Sequence, residues 1–130
     1  MKRKQLTISA NRYAAKLLFQ FKVVINGNPG KRRICEERIA IFQGKTAKQA
    51  LSQAKQYGKN CEHWYVNPDG HRVYFQFIGV MDLLRLGMGF DENEVWYEVK
   101  ERLLPSERKS RLIPPASCLN AIVLEAEAKQ

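Results

Sequence analysis

The stretch that decides the fold runs from residue 12 to residue 44: RYAAKLLFQFKVVI (12–25), NGNPG (26–30) and KRRICEERIAIFQG (31–44). Two long runs rich in aromatic and β-branched residues flank a break whose Asn-Gly pair tolerates positive φ angles. In the first run every second residue from Tyr13 to Ile25 is apolar, which is the period of a strand with one buried face. The sequence therefore predicts a β-hairpin against which the rest of the chain packs.

The second run of this hairpin carries apolar residues on both of its faces. Ile39 and Ile41 fall on one face, while Ile34, Ala40 and Phe42 fall on the other. A strand with this pattern is covered in part on each side. We therefore expect the second strand to be central in its sheet.

Three charged residues, Glu36, Glu37 and Arg38, lie within the second run. Adjacent residues on a strand point to opposite faces, so the two carboxylates are not expected to share one site. Cross-strand ion pairs, for example with Lys16 or Lys22, are the structural interpretation. The functional interpretation is an enzyme that uses Glu36 or Glu37 with Arg38, and it requires a concave pocket around them.

Length and composition indicate one domain with a real core. The chain has 130 residues, of which 45% are hydrophobic and 27% charged, as is usual for soluble globular proteins. No apolar run approaches the roughly 20 residues that span a membrane, and the basic start lacks the apolar region of a secretory signal. The three cysteines are an odd number at wide spacing, which fits a reducing cytoplasm. We expect a cytoplasmic protein without membrane association.

Positive charge is concentrated in the first half of the chain. The formal net charge is +9, with +11 in residues 1–65 and −2 in residues 66–130. A basic balance of this size predicts attraction to nucleic acid or to an acidic protein surface, although it says nothing about the fold. Residues 1–11 are expected to form a basic flexible arm.

The first helix is predicted from Thr46 to about Tyr57. Thr46 and Gln49 have the spacing of a capping box, and Gly58 is expected to end the helix. Small apolar residues gather on one side of this helix and lysines on the other. The lysine stripe and the basic end of the hairpin supply the candidate contacts to nucleic acid or to an acidic partner: Lys31, Arg32, Arg33, Lys45, Lys48, Lys55 and Lys59.

A second hairpin is predicted from CEHWYVN (61–67) and HRVYFQFIGV (71–80), which flank a Pro-Asp-Gly turn. Trp64 and Tyr65 could stack on bases, although packing within the sheet is the favoured interpretation. Cys61 and His63 lack the paired spacing of a structural zinc site. Because the chain also has no nucleophile motif, Walker loop or dinucleotide-binding glycines, we expect no catalytic residue, metal or cofactor.

The last third of the chain is predicted less uniformly. Asp91, Glu92 and Glu94 form an acidic patch, and Val95–Val99 has the composition of a fifth strand. Pro105 ends this element. The tail, residues 105–130, contains a segment from Ala116 to Ala128 that is compatible with a short helix or with an added strand.

The hairpin and the helix together resemble a family of small bacterial proteins catalogued as a domain of unknown function (DUF4288). The matching residues are Tyr13 and KLLF (16–19), then EERI (36–39) and Phe42, then Ala47, Ala50 and Ala54, and finally Val80, Asp82 and Leu83. The resemblance covers roughly residues 12 to 100. It implies a small α+β fold, and it implies no reaction and no catalytic residue.

These observations predict an α+β domain over residues 12–104, with an antiparallel sheet of four to five strands in the order β-β-α-β-β-β and the amphipathic helix on one face. The C-terminal segment or a partner must cover the other face, and a homodimer is one way to do so. The leading functional hypothesis is a non-enzymatic binding module for an acidic macromolecule, nucleic acid first. The alternative is a protein-interaction module of antitoxin or immunity type that uses the sheet face and the acidic patch.

Overall fold

The computed structural model describes residues 11–87 and 93–128 of the chain. The chain forms two compact units, Met1–Tyr97 and Glu98–Gln130. The predicted basic arm lies outside the described residues except for Asn11, and Asp91 and Glu92 of the predicted acidic patch also lie outside them.

The first unit contains a four-stranded antiparallel sheet. Its strands are β1 (Asn11–Val24), β2 (Ile34–Gly44), β3 (His63–Val66) and β4 (Arg72–Arg85), in the spatial order β2-β1-β4-β3. The predicted hairpin is confirmed, because β1 pairs with β2 along the whole length of β2. The sheet confirms the α+β class. It has four strands, the smaller of the two numbers expected.

The central position in the sheet belongs to β1, and the prediction that β2 is central was wrong. The strand β4 pairs with β1 from Val24↔Arg72 to Tyr13↔Arg85. Because β4 takes the second side of β1, β2 is left at the edge of the described sheet. The apolar residues on both faces of β2 therefore do not mark a strand with two neighbours, and Ile39 and Ile41 remain exposed.

The helix α1 (Ala47–Cys61) follows β2, and its start was predicted correctly. The backbone N–H of Gln49 donates to Thr46 Oγ1 over 3.2 Å, and the backbone N–H of Lys45 donates to Gln49 Oε1 over 2.7 Å. The first contact satisfies an N–H group that the first helical turn leaves without a partner, and the second ties the residue before the cap to the helix. Gly58 does not end the helix, contrary to expectation. It lies inside α1 and is buried.

The core lies between α1 and one face of the sheet, which we call the helix-side face. Leu17 and Phe19 of β1 are fully buried there, and they pack with Ala54 of α1 and Phe75 of β4. The rings of Phe19 and Phe75 are stacked with centroids 4.8 Å apart. The small side chain of Ala54 lets the helix lie close to this aromatic layer.

The predicted fifth strand is not formed, because residues 94–100 have no strand structure. Instead, residues 94–96 lie near the start of β1. The guanidinium of Arg12 donates to the backbone oxygen of Glu94 over 3.2 Å, and Lys16 Nζ lies 5.1 Å from the ring centroid of Trp96. Both sides of β1 are already paired, so this segment contacts β1 through side chains rather than through a ladder.

The second unit is helical where it is regular, so the helical alternative for the tail is confirmed. It contains α2 (Lys109–Leu112), a 3-10 turn (Ala116–Cys118) and α3 (Asn120–Ala128). No residue from 98 to 128 is buried. Among the helices of the described residues, none has the length and apolar character needed to cross a membrane.

Candidate functional site

The lysine stripe occupies one exposed face of α1. At about 100° per residue, Lys48, Lys55 and Lys59 lie within roughly 40° of one another around the helix axis. Lys45 immediately precedes the cap, and all four side chains are exposed. The stripe from Lys48 to Lys59 is about 17 Å long at 1.5 Å per residue. The stripe is therefore a row of cations long enough to lie along several phosphates of one nucleic-acid strand.

The second basic group lies in the loop between β1 and β2. Ile25 and Asn28 exchange backbone hydrogen bonds of 3.0 and 2.9 Å around Asn26 and Gly27, both of which have positive φ. This tight turn matches the Asn-Gly signal in the sequence. The chain then widens into a loop that carries Lys31, Arg32 and Arg33, all of them exposed.

Within this loop the two arginines have different roles. The guanidinium of Arg33 donates twice to the backbone oxygen of Gly30, over 3.2 and 2.9 Å, and once to Gln20 Oε1 over 3.1 Å. These bonds hold the loop in place. Arg32 makes no such bond to the described residues, so its charge is directed to solvent.

An apolar groove lies beside the basic loop. Its volume is about 450 Å³, and it is lined mainly by Phe21, Val23, Ile25, Pro29 and Ile34, with Arg32 and Arg33 at its rim. The groove is open to solvent and does not enclose a ligand. The basic residues were predicted from the sequence and the groove was not, because the groove depends on how β1 and the loop are placed together.

The structure does not bring the seven candidate cations into one cluster. Arg38 lies beside the C-terminal end of α1, where it contacts Tyr57 and Cys61. Arg33 immediately precedes β2, five residues before Arg38. At about 3.3 Å per residue of extended chain, Arg33 lies up to roughly 17 Å from Arg38. The lysine stripe and the basic loop are therefore two separate basic surfaces. Among the described residues, none of the seven forms a salt bridge.

Arg38 and Glu36 form an ion pair on the helix-side face. The Nη2 atom of Arg38 lies 2.8 Å from Glu36 Oε2, and the two side chains are 33% and 38% exposed. The pair runs along one strand, so the expected pairing with Lys16 or Lys22 was wrong for Glu36. Hydrogen bonds to Tyr57 and to Glu36 raise the pKa of the Arg38 guanidinium above its ordinary value. The guanidinium also lies 4.9 Å from the ring centroid of Phe19.

This arrangement bears on the enzymatic interpretation. Glu37 pairs with Leu18 and Glu36 with Phe19, so the two carboxylates lie on opposite faces, as expected from strand geometry. Glu36 is bound by Arg38 on a partly open surface. A carboxylate held in this way stabilises the charged arginine.

Trp64 and Tyr65 lie on opposite faces of β3, and both remain exposed, by 54% and 41%. On the face away from α1, Arg72 lies 4.4 Å from the ring centroid of Trp64. On the helix-side face, the ring of Tyr65 stacks on His63 with centroids 6.0 Å apart, and His63 lies 5.2 Å from Phe75. Trp64 therefore packs against a cation, whereas Tyr65 and His63 extend the aromatic layer of the core to the surface.

The cysteines and histidines do not form a metal centre in the part of the chain that the structure describes. His63 Nδ1 lies 2.9 Å from the backbone oxygen of Cys61, and no group of three metal-ligating side chains occurs in residues 11–87 and 93–128. Cys35, Cys61 and Cys118 are free thiols.

Comparison with known proteins finds one family. The model of the family described as a domain of unknown function (DUF4288) matches residues 12–96 of the chain. The match covers the sheet, α1 and the segment that contacts the start of β1. No curated protein matches the chain, and no solved structure matches it.

Proposed function

The chain belongs to the family described as a domain of unknown function (DUF4288), and we propose that it is a non-enzymatic, cytoplasmic binding module for an acidic macromolecule, nucleic acid first. The observation that carries this proposal is the state of the seven candidate cations. Each is exposed, and none is neutralised by a described acidic side chain. Exposed, unpaired cations are the groups that exchange counterions for phosphates.

The distribution of charge supports the same proposal. The half of the chain that contains both basic surfaces has a net charge of +11. Such a surface attracts polyanions over a Debye length of about 10 Å and accelerates their association. The lysine stripe extends along one direction, which suits a linear ligand better than a compact one.

The test is fluorescence anisotropy with labelled oligonucleotides at about 50 to 200 mM salt. The variant Lys48→Glu with Lys55→Glu removes two cations from the stripe. We expect it to weaken binding by about tenfold or more at the low-salt end and to flatten the salt dependence. The matched control is Arg108→Glu with Lys109→Glu, which changes the net charge equally at exposed positions of the second unit.

A third variant, Lys31→Glu with Arg32→Glu, tests the basic loop separately from the stripe. Equal losses in the stripe variant and the control would show that only net charge matters. Unchanged affinity in both surface variants would contradict the proposal.

The second candidate is a protein-interaction module of antitoxin or immunity type. The face of the sheet away from α1 supports it, because Ile39 and Ile78 there are 42% and 52% exposed. Exposed apolar side chains of this size favour a partner, which could be a second copy of the chain. Glu94, the described member of the acidic patch, accepts a hydrogen bond from the backbone N–H of Gly87 over 3.2 Å. Sedimentation of the chain, and of an Ile39→Lys variant, tests self-association through this face.

A further inference from the structure

We propose that the apolar groove and the exposed aromatic pair beside it form a site for single-stranded nucleic acid, in which bases stack on Tyr65 and His63 while Lys31 and Arg32 contact phosphates. This inference rests on the proposed function and specifies its ligand. It assigns the base contacts to a surface that the basic residues alone do not identify.

The site exists because α1 covers only part of the helix-side face. The helix begins beside the start of β1, and it ends at Cys61, next to Arg38 and the Phe19 ring. Beyond Arg38, no described element of the first unit is layered on this face. The aromatic pair on β3 and the groove residues on β1 and β2 are accessible to a ligand, while Phe75 and Val73 between them are buried.

The register of the sheet places the open residues side by side. His63 pairs with Phe75, which pairs with Phe21, which pairs with Ile34. Two residues further along β3, on the same face, Tyr65 is joined in the same way through Val73 to Val23, a lining residue of the groove. At about 4.8 Å between neighbouring strands, Tyr65 and Val23 lie roughly 10 Å apart.

The aromatic pair forms a platform with a fixed orientation. The rings of His63 and Tyr65 are within 27° of parallel, and His63 is supported from below by Phe75. Phe75 is itself held by stacking on the buried ring of Phe19. Because these rings are anchored in the core, their side chains are already ordered before a base binds. Stacking on them tolerates any base.

Charge across the groove complements a phosphate backbone. The rim carries Arg32 and Arg33, with Lys31 adjacent, and none of the described residues that line the groove is acidic. Glu36, an acidic residue on this face of β2, is bound by Arg38, and the carboxylate of Glu62, next to His63, accepts a hydrogen bond from the backbone N–H of Phe77. The surface therefore combines an apolar and aromatic floor with an uncompensated positive rim.

A single strand fits this combination better than a duplex does. In a duplex the bases are already stacked on one another, and an aromatic side chain cannot reach their faces without unstacking them. A single strand presents both base faces and phosphates on one chain. The lysine stripe can bind any ligand that offers phosphates, whereas the aromatic pair beside the groove can bind only a ligand that also offers exposed bases.

The test measures binding of the full chain to a labelled single strand of about 12 nucleotides and to the matching duplex. We expect the single strand to bind at least about tenfold more tightly. Tyr65→Ala should then weaken single-strand binding by about 5- to 150-fold, the range for loss of one stacked base. Tyr65→Phe, which keeps the ring, should bind like the wild type. Tyr97→Ala is the control, because Tyr97 is half-exposed and follows the segment that contacts Arg12 and Lys16, whereas the groove is lined by residues between Phe21 and Ile34.

Each outcome separates this inference from the proposed function. If the single strand and the duplex bind equally and Tyr65→Ala has no effect, the stacking site is wrong, while phosphate binding through the basic surfaces stands. If neither oligonucleotide binds at about 50 mM salt, both proposals are wrong. If circular dichroism shows that the Tyr65→Ala variant is unfolded, the site is tested with Lys31→Glu and Arg32→Glu instead. An unchanged preference for the single strand in that double variant contradicts the site.

Discussion

Gly58 of α1 lies so close to Phe77 of β4 that a Cβ atom on Gly58 would be 2.4 Å from Cδ1 of the Phe77 ring. Alanine normally stabilises a helix interior relative to glycine by about 1 kcal/mol. Here the added methyl group must displace a packed aromatic ring, and overpacking costs about 1 to 3 kcal/mol or more. We expect Gly58→Ala to lower the free energy of unfolding by up to about 2 kcal/mol, the overpacking cost less the gain in helix propensity, measured by urea denaturation.

Gly79→Ala is the matched control for this substitution. Gly79 lies in β4, and a Cβ atom there would meet nothing within 4 Å. We expect this variant to lose no stability and to gain up to about 1 kcal/mol in the free energy of unfolding, because alanine restricts the unfolded chain and meets no neighbour here. A stabilised Gly58→Ala variant would show that the helix is not held against Phe77 in solution.

Arg38 is expected to contribute more as a cover for aromatic rings than as half of an ion pair. Its guanidinium lies over Phe19 and 5.8 Å from the centroid of Phe75, while its ion pair with Glu36 is partly exposed. Exposed pairs contribute about 0 to 1 kcal/mol. Arg38→Ala should therefore destabilise the fold by about 1 to 2 kcal/mol, through lost cation–π contact and lost packing.

The comparison for Arg38 is Glu36→Gln, which removes the charge partner and leaves the arginine in place. We expect a change below about 1 kcal/mol in the free energy of unfolding. If Glu36→Gln were as destabilising as Arg38→Ala, the ion pair would be the dominant contribution instead.

The cap of α1 gives a third prediction. Thr46 accepts a hydrogen bond from the backbone N–H of Gln49. Thr46→Ala should lower the free energy of unfolding by about 0.5 to 2 kcal/mol, because that N–H loses its partner. Ser52→Ala, at an exposed position inside the same helix, should change stability by less than about 0.5 kcal/mol. Equal effects in thermal melts of the two variants would contradict the capping role.

A fourth prediction concerns two truncations of the chain. A chain ending at Tyr97 keeps every buried residue of the core, so it should unfold cooperatively with nearly the stability of the whole chain. A chain ending at Gly87 loses the hydrogen bonds that Glu94 accepts from Arg12 and Gly87, and the contact between Lys16 and Trp96. The shorter chain should be less stable by about 1 to 3 kcal/mol. Identical urea midpoints for the two truncations would show that residues 94–96 do not stabilise the sheet.

The parts of the fold that follow from local patterns were predicted from sequence. The alternation from Tyr13 to Ile25 gave the faces of β1, the Asn-Gly pair gave the turn, and Thr46 with Gln49 gave the start of α1. These features depend on residues that are neighbours in the chain. The position of β2 at the edge does not, because alternation identifies the faces of a strand but not the strands on either side of it.

The features that were predicted wrongly or not at all depend on residues that are far apart in the chain. Gly58 has the identity of a helix stop, but its environment is the ring of Phe77, 19 positions further along the chain. Val95–Val99 has the composition of a strand, but both edges of β1 are occupied by β2 and β4. The lysine stripe followed from the helical period, whereas the groove and the aromatic pair required the register between β3, β4 and β1.

The place of β1 between β2 and β4 has a consequence for synthesis of the protein on the ribosome. After Val24 has emerged, the chain must grow to Arg72 and beyond before β4 can pair with β1. At about 5 to 20 residues per second, this interval lasts roughly 2 to 10 seconds. During that time one edge of β1 is unpaired, and Phe75 is not yet present to cover Phe19. The nascent hairpin is therefore the species most exposed to aggregation, and the step that ends this risk is the arrival of β4.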